Sequence, residues 1–298
     1  MIDKLQMFIA LANEQHFGRA AESCGVTQPT LSSAIKQLEG ELGVQLVWRG
    51  SRFQGLTPEG QRVLGWARRI VSDARGMKAE MRAARKGLTG DLRIGVIPTA
   101  LPMVAGLTAP FLHRHPGMRV VVLSRSSAEI LEQIGALQLD AGITYLDNEP
   151  LGRVTALPLF DEGYQLLVAA DSPWARAPRI NWADVSRLPL CLLTSDMQNR
   201  RIIERHLATA GAQADAAVES NSIIALVSHV LQGDRASVIP DKTAALFARD
   251  GRLAAVPIEA SGTRHRVGLV APYRQPHTPV IAALLDEARR INETGAHA

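Results

Sequence analysis

Gln28, Thr30, Ser32, Ser33 and Lys36 fall within nine consecutive residues, and four of these five side chains both donate and accept hydrogen bonds while carrying no charge. A solvated helix face ordinarily carries Glu and Lys pairs. A face of short amide and hydroxyl groups that ends in a lysine suits base edges and phosphates instead. Leu31, Ile35 and Leu38 recur at i, i+4, i+7 in the same stretch and predict the buried side of that helix, with Thr27 as its cap and Pro29 tolerated in the first turn.

The neighbouring elements fix how such a face would be presented. Leu5, Phe8, Ile9 and Ala12 predict a first helix. "FGRAAESCG" predicts a shorter second one, with small Ala20 and Ala21 allowing close approach and Gly25 ending it. Gly25, Val26 and Thr27 then turn the chain tightly into the polar helix, the arrangement of a helix-turn-helix whose second helix meets the DNA major groove. Beyond Gly43, "VQLVWRGSRFQGLT" reads as two short strands around a turn at Arg49, Gly50, Ser51 and Arg52. Two arginines at a hairpin tip fit a wing on phosphates or in the minor groove. Taken alone, the helices also suit a packing motif of another all-α domain, and the tip a solvated turn.

From Thr57 and Pro58, Val63, Ala67, Ile70, Ala74, Met77, Met81, Ala84 and Leu88 alternate spacings of four and three up to an expected stop at Gly90. So narrow an apolar seam, flanked by Arg62, Arg68, Arg69 and Arg75, predicts a helix that pairs with a second copy. The competing reading is a helix docked on its own chain. Residues 1–90 hold 13 Lys and Arg against 8 Asp and Glu, and the remainder 20 against 21, so the basic character is confined to this end and implies a polyanionic partner there.

"AAESCGVTQPTLSSAIKQLEGELGVQLVWR" followed by "LTPEGQRVL" resembles the winged helix-turn-helix of LysR-type transcriptional regulators: paired alanines, the Thr-Gln-Pro-Thr-Leu-Ser turn, Leu-Glu-x-x-Leu-Gly and the Leu-Thr-x-x-Gly exit occur together and in order. Val47 and Trp48 depart from the usual wing pattern. The resemblance implies that Gln28, Pro29, Thr30 and Ser33 begin the recognition helix, that Arg52 tips the wing, and that residues 59–88 form a dimerising linker between a DNA-binding domain at 1–58 and an effector domain at 89–298. It also implies dimers paired into homotetramers on double-stranded promoter DNA.

The composition changes texture at residue 89. "LRIGVI", a helix from about Leu101 to His113, "MRVVVLS", a helix near Ser127 and "LDAGITYL" predict an α/β unit with a parallel sheet. "YQLLVAA", "LPLCLLT", a helix after Gln198, "ADAAVES", a helix from Ser222 and "ASVIP" predict a second, to which "RVGLVAPY" and a closing helix from Thr278 do not belong; these return to the first. Lobe I is thus expected at about 91–161 and 265–298, and lobe II at about 162–264. Two such lobes resemble the periplasmic-binding-protein fold of LysR effector domains. Ligands of open α/β sheets sit beyond the carboxyl ends of strands, which nominates Thr99, Ala100, Ser126, Ser127, Thr144 and Tyr145 from one lobe. Thr194, Met197, Gln198 and Ser222 come from the other. Hydroxyls and helix starts favour a small anion such as a carboxylate, although each Ser or Thr also suits a plain helix cap.

Other sets are weaker. Ser33-x-x-Lys36, Ser195 with Met197, and Lys242 with Ala244 come near the serine β-lactamase triad of motifs but lack its Asn and Gly. His113 and His115 end a helix with no third metal ligand in view. Cys24 and Cys191 are too few for a disulfide framework, and the two reactive effector-domain cysteines that peroxide-sensing LysR members use are not both present. No cofactor or metal is expected. With no secretion signal and no long apolar stretch, a cytoplasmic protein without membrane contact is expected. An enzyme or solute-binding module carrying a helical oligomerisation domain is the alternative.

Overall fold

Three short helices build the N-terminal core: α1 (Ile2–Glu14), α2 (Phe17–Ser23) and α3 (Gln28–Leu42). The computed structural model describes residues 1–48, 50, 53–259 and 264–293. Leu5, Phe8, Ile9, Ala20, Leu31 and Ile35 meet in that core. His16 caps α2 by accepting from the amides of Gly18 and Arg19 at 3.1 and 3.3 Å. The turn into α3 uses Gly25 at φ 67, a conformation a β-carbon would strain. Thr27 caps α3, and Glu39 on its last turn accepts from the amides of Leu46 and Val47 at 2.8 and 3.3 Å, tying the wing to the helix. The wing is slighter than two strands: Val47 and Leu56 form one antiparallel bridge, and the tip carrying Arg49 and Arg52 lies outside the described residues.

The linker helix α4 (Pro58–Lys86) starts on the expected Thr57 cap but ends sooner than Gly90. Gly87, at φ 71, stops it, so Leu88 leaves the seam and packs instead against the core of the following lobe. Leu64, Ala67 and Val71 face the helix-turn-helix core, each such aliphatic burial stabilising by about 1.5–3 kcal/mol for a full side chain. Ile70, Met77 and Met81 stand 40%, 60% and 58% exposed beside Trp66, an apolar stripe uncovered in the single chain. The side chain of Ala84 lies outside the described set.

Lobe I contains β1 (Gly90–Val96), a 3₁₀ turn at Pro98–Met103 leading into α5 (Val104–Arg114), β2 (Met118–Ser124), α6 (Ser127–Gly135), β3 (Ala141–Tyr145) and β4 (Val154–Glu162). Pro98 and Pro102 explain why the expected helix from Leu101 opens as 3₁₀: proline supplies no amide to an α-helical ladder. Lobe II contains β5 (Tyr164–Ala169), α7 (Trp182–Val185), β6 (Leu190–Leu193), α8 (Gln198–Thr209), β7 (Ala216–Ser220), α9 (Ile223–Val230), β8 (Ala236–Pro240), α10 (Asp241–Phe247) and β9 (Leu253–Pro257). The chain then returns through β10 (His265–Pro272) and α11 (Pro279–Glu293) to lobe I.

The sheets run β2-β1-β3-β10-β4 and β7-β6-β8-β5-β9, and both are mixed rather than wholly parallel. β10 enters lobe I from lobe II and so runs antiparallel to β3 and β4, and β5 runs antiparallel to β8 and β9 in the same way. Both faces of the second sheet are covered, which is why its strands read as unbroken apolar runs: Leu190 and Leu192 enter one core, Cys191 and Leu193 the other. In lobe I, α6 lies close on the sheet because Ile130 sits over Gly95 and Gly142, paired residues of β1 and β3 where a β-carbon would overlap it. The turn after α6 reaches the N-terminal domain: Leu137, at φ 60, packs against the helix-turn-helix core, and Asn13 donates to the Ala136 carbonyl at 3.4 Å.

Candidate DNA-reading helix and inter-lobe cleft

Gln28, Pro29, Thr30, Ser33 and Lys36 are all exposed along one side of α3, opposite the buried Leu31, Ala34, Ile35 and Leu38. Ser32 is half-buried. It turns toward a groove of about 940 Å³ between α3 and the wing, lined also by Gln28, Lys36 and Trp48. The Thr30 hydroxyl is 2.9 Å from that of Thr27, so the cap holds it in place and leaves it capacity for two further partners.

The lobes meet at a cleft that brings together Thr99, Ser127, Tyr145, Met197 and Gln198, all five from the sequence-predicted set, with Asn199 beside them. Ser127 Oγ is buried there without a hydrogen-bond partner, as are Thr194 Oγ1 and Thr144 Oγ1 elsewhere in the two lobes. Met197 begins α8 without any side-chain cap. The cavity left between these walls is only about 10 Å³, near the lower limit for a single water.

The remaining nominated residues do not line this closed cleft. Ser126 is consumed by a capping box: its hydroxyl accepts from the Glu129 amide at 3.3 Å and donates to the Glu129 carboxylate at 2.9 Å. Ala100 gives its amide to the Ile97 carbonyl at 3.0 Å and so has none to offer a ligand. Thr144 precedes Tyr145 on β3 and, by the alternation of a strand, points to the other face of the sheet. Thr194 lies between the lining residues Leu193 and Met197 without joining them, and Ser222 precedes α9 without a side-chain cap bond, its amide donating to Ser220 Oγ at 3.2 Å.

Behind the cleft lies a buried polar cluster in which the nominated Tyr145 and Thr99 meet Glu162, Tyr164 and Asn199, three residues the sequence did not single out. Tyr145 donates to Glu162, its hydroxyl is 3.3 Å from that of Tyr164 and 3.5 Å from Thr99 Oγ1, and Asn199 Nδ2 donates to both tyrosines at 3.3 Å. Burial pushes the Glu162 carboxyl up to about 8, with Asp241 and Asp147 adding to the rise against the Tyr145 hydrogen bond. It is therefore a neutral acid at pH 7. His206 and His265 face each other at 3.2 Å between their Nε2 atoms, each held below the ordinary histidine range by burial. Glu162 and His265 stand at the two crossings between lobes, on β4, which the sequence reading lacked, and at the start of β10.

α8 latches the lobes together. Gln198 donates to the Asp147 carbonyl at 2.9 Å, Arg201 pairs with Glu149 at 2.6 Å, Arg205 donates to Asn148 at 2.9 Å, and Ile202 enters the lobe I core. Cys191 is fully buried, its thiol raised by burial, and Cys24 stands apart at the end of α2. Among the described residues no group of three His, Cys, Asp or Glu could hold a metal, and no helix is long and apolar enough to cross a membrane.

Comparison with known proteins agrees with this anatomy. The family profile described as "Bacterial regulatory helix-turn-helix protein, lysR family" matches residues 2–61, and "LysR substrate binding domain" matches 85–292. The DNA-binding transcriptional dual regulator OxyR of Escherichia coli K12 is 31% identical over 280 residues, 94% of this chain and 90% of that protein. The hydrogen peroxide-inducible genes activator of Dickeya chrysanthemi is 32% identical over 240 residues, 80% of this chain and 78% of its own. A full-length OxyR variant from Pseudomonas aeruginosa superposes with a TM-score of 0.75 at 30% identity, covering 97% of this chain and 94% of that one. These relatives are regulators of transcription rather than enzymes, which sets aside the enzyme reading.

Proposed function

Because the chain belongs to the LysR family of transcriptional regulators, we propose that it reads promoter inverted repeats with the first turn of α3 and changes its grip on DNA when a small effector enters between the lobes. The observation that carries this reading is the cleft itself: Ser127 Oγ buried without a partner, next to Thr99 and the uncapped start of α8. Helix starts and free hydroxyls favour a small anion, and a neutral Glu162 behind them does not repel one. A cavity of about 10 Å³ admits no carboxylate, so the effector must part the lobes and compete with the α8 latch. Binding and lobe movement are then one event.

Several relatives are named for induction by hydrogen peroxide. In this chain Cys191 is buried in a sheet and Cys24 belongs to another domain, so the pair supports an effector bound by contacts rather than a dithiol switch. The exposed stripe of Trp66, Ile70, Met77 and Met81 supports a homodimer through α4, with pairing into tetramers as for the family, in the cytoplasm. DNA affinity measured against salt, with and without small carboxylates and peroxide, tests the whole reading. A steep salt slope shifted by a carboxylate, and unmoved by peroxide in the wild type as in C191S, is expected. Peroxide sensitivity that disappears in C191S would make the thiol the sensor.

A further inference from the structure

A second cavity, of about 550 Å³, lies between the linker helix and lobe I, away from both sites above. Leu131, Ile134, Leu151, Val154, Pro272 and Tyr273 give it apolar walls. Four guanidiniums ring those walls: Arg68 and Arg69 from α4, Arg153 just before β4, and Arg274 just after β10. Arg274 alone is neutralised, by Asp73 at 3.1 Å, while it donates to the Ser72 carbonyl at 2.8 Å and lies over Gly76. Arg69 stacks on Trp66 at 4.1 Å and Arg153 on Tyr273 at 4.9 Å, and neither forms an ion pair with a described residue. Arg68 donates to Asn13 at 3.3 Å, yet its Nε is buried without a partner. Burial lowers its pKa, an effect the charge of Glu132 partly offsets.

We propose that this cavity is a second ligand site, for an organic anion whose carboxylate meets the arginines and whose aromatic body lies on the apolar walls. Its size falls in the usual range for small-molecule pockets, roughly 300–1,000 Å³. Guanidiniums match carboxylates two bonds at a time, and Arg69 and Arg153 here form no ion pair with a described residue. Inorganic phosphate would leave the apolar walls uncovered. One wall belongs to the linker helix and the other to lobe I, so the ligand binds only while the two are in contact and holds them so. The site is independent of the inter-lobe cleft.

Isothermal titration of the full chain with 2-naphthoate, and with neutral 2-naphthamide as its partner, tests this. Saturable binding of the naphthoate is expected, roughly tenfold tighter than the amide and weakened about tenfold by either R69Q or R153Q. Both arginines are exposed and free of ion pairs, so the variants keep the fold, and T99V in the cleft should bind like the wild type. Absence of binding, equal binding by R69Q and R153Q, or loss of binding in T99V overturns the proposal, the last by returning the ligand to the cleft. If naphthoate fails to bind and both arginine variants flatten the salt dependence of DNA binding, the arginines serve DNA phosphates and the proposal likewise falls.

Discussion

The phenolic hydroxyl of Tyr145 donates to the carboxyl of Glu162 at a point where each residue is only 1% exposed. One comes from the last residue of β3 and the other from the last residue of β4, so the bond joins the rear of the cleft to the crossing between lobes.

That carboxyl titrates near 8 in the folded chain and near the ordinary 4.5 when unfolded. Between these values the folded state keeps a proton that the unfolded state releases, so Glu162 contributes stability fully below 4.5 and loses it as pH rises to about 8. Glu162→Gln still accepts from Tyr145 but cannot ionise. Its urea midpoint should therefore change less than the wild type's between about pH 5 and 8, each unit of displaced pKa being worth ~1.4 kcal/mol. Parallel pH profiles for the two proteins would give Glu162 an ordinary pKa.

Ser127→Ala removes a buried hydroxyl that has no partner, so the effector-free protein should be as stable or gain up to about 1 kcal/mol. Thr99→Val keeps shape and removes one hydrogen-bonding group from the cleft wall. Both should lower effector affinity by about 1–3 kcal/mol without altering effector-free DNA binding. Thermal melts beside effector-dependent reporter assays separate the two effects, and wild-type effector sensitivity in both variants would remove these hydroxyls from the site.

Gln28→Ala or Ser33→Ala should weaken specific operator binding by ~1–3 kcal/mol and leave the dimer folded. Both side chains are exposed on the first two turns of α3, so no core contact is lost. Gel-shift titrations against specific and scrambled DNA decide it: equal losses on both would reassign the residues to phosphates.

Ile70→Glu together with Met77→Glu places two charges on the uncovered stripe of α4. The monomer tolerates them, since both positions face solvent in the single chain, whereas a dry helix pair does not. Sedimentation velocity should show dissociation to monomers. A wild-type sedimentation profile would move the main interface elsewhere.

The local patterns were legible where one residue's neighbours in sequence are also its neighbours in space. The caps at Thr27 and Thr57, the Gly25 turn and the buried period of α3 are of that kind. What escaped was set by distant pairing. β4 and β9 carry no strong alternation of their own and become strands because β10 and β5 offer them partners. Glu162, Tyr164, Asn199 and His265 are spread over 104 residues and meet only because the chain crosses between the lobes twice. The cleft hydroxyls were nominated from strand ends alone, which found Thr99 and Ser127 but could not tell them from Ser126, whose Glu129 partner makes it a cap.

Ile130 seated over Gly95 and Gly142 acts as a fulcrum. Ser127 stands three residues to one side of it, at the cleft, and Leu137 seven residues to the other, against the core of the DNA-binding domain. At 1.5 Å of rise per residue the short arm is about 4.5 Å and the long one about 10 Å if the turn is carried with the helix. If an effector parts the lobes at Ser127 as proposed, a rigid tilt about Ile130 would reappear roughly doubled where Ala136 receives the bond from Asn13. In the proposed reading the mechanical advantage would run from the cleft toward the DNA-binding domain, and it rests on two glycines that let Ile130 bear closely on the sheet.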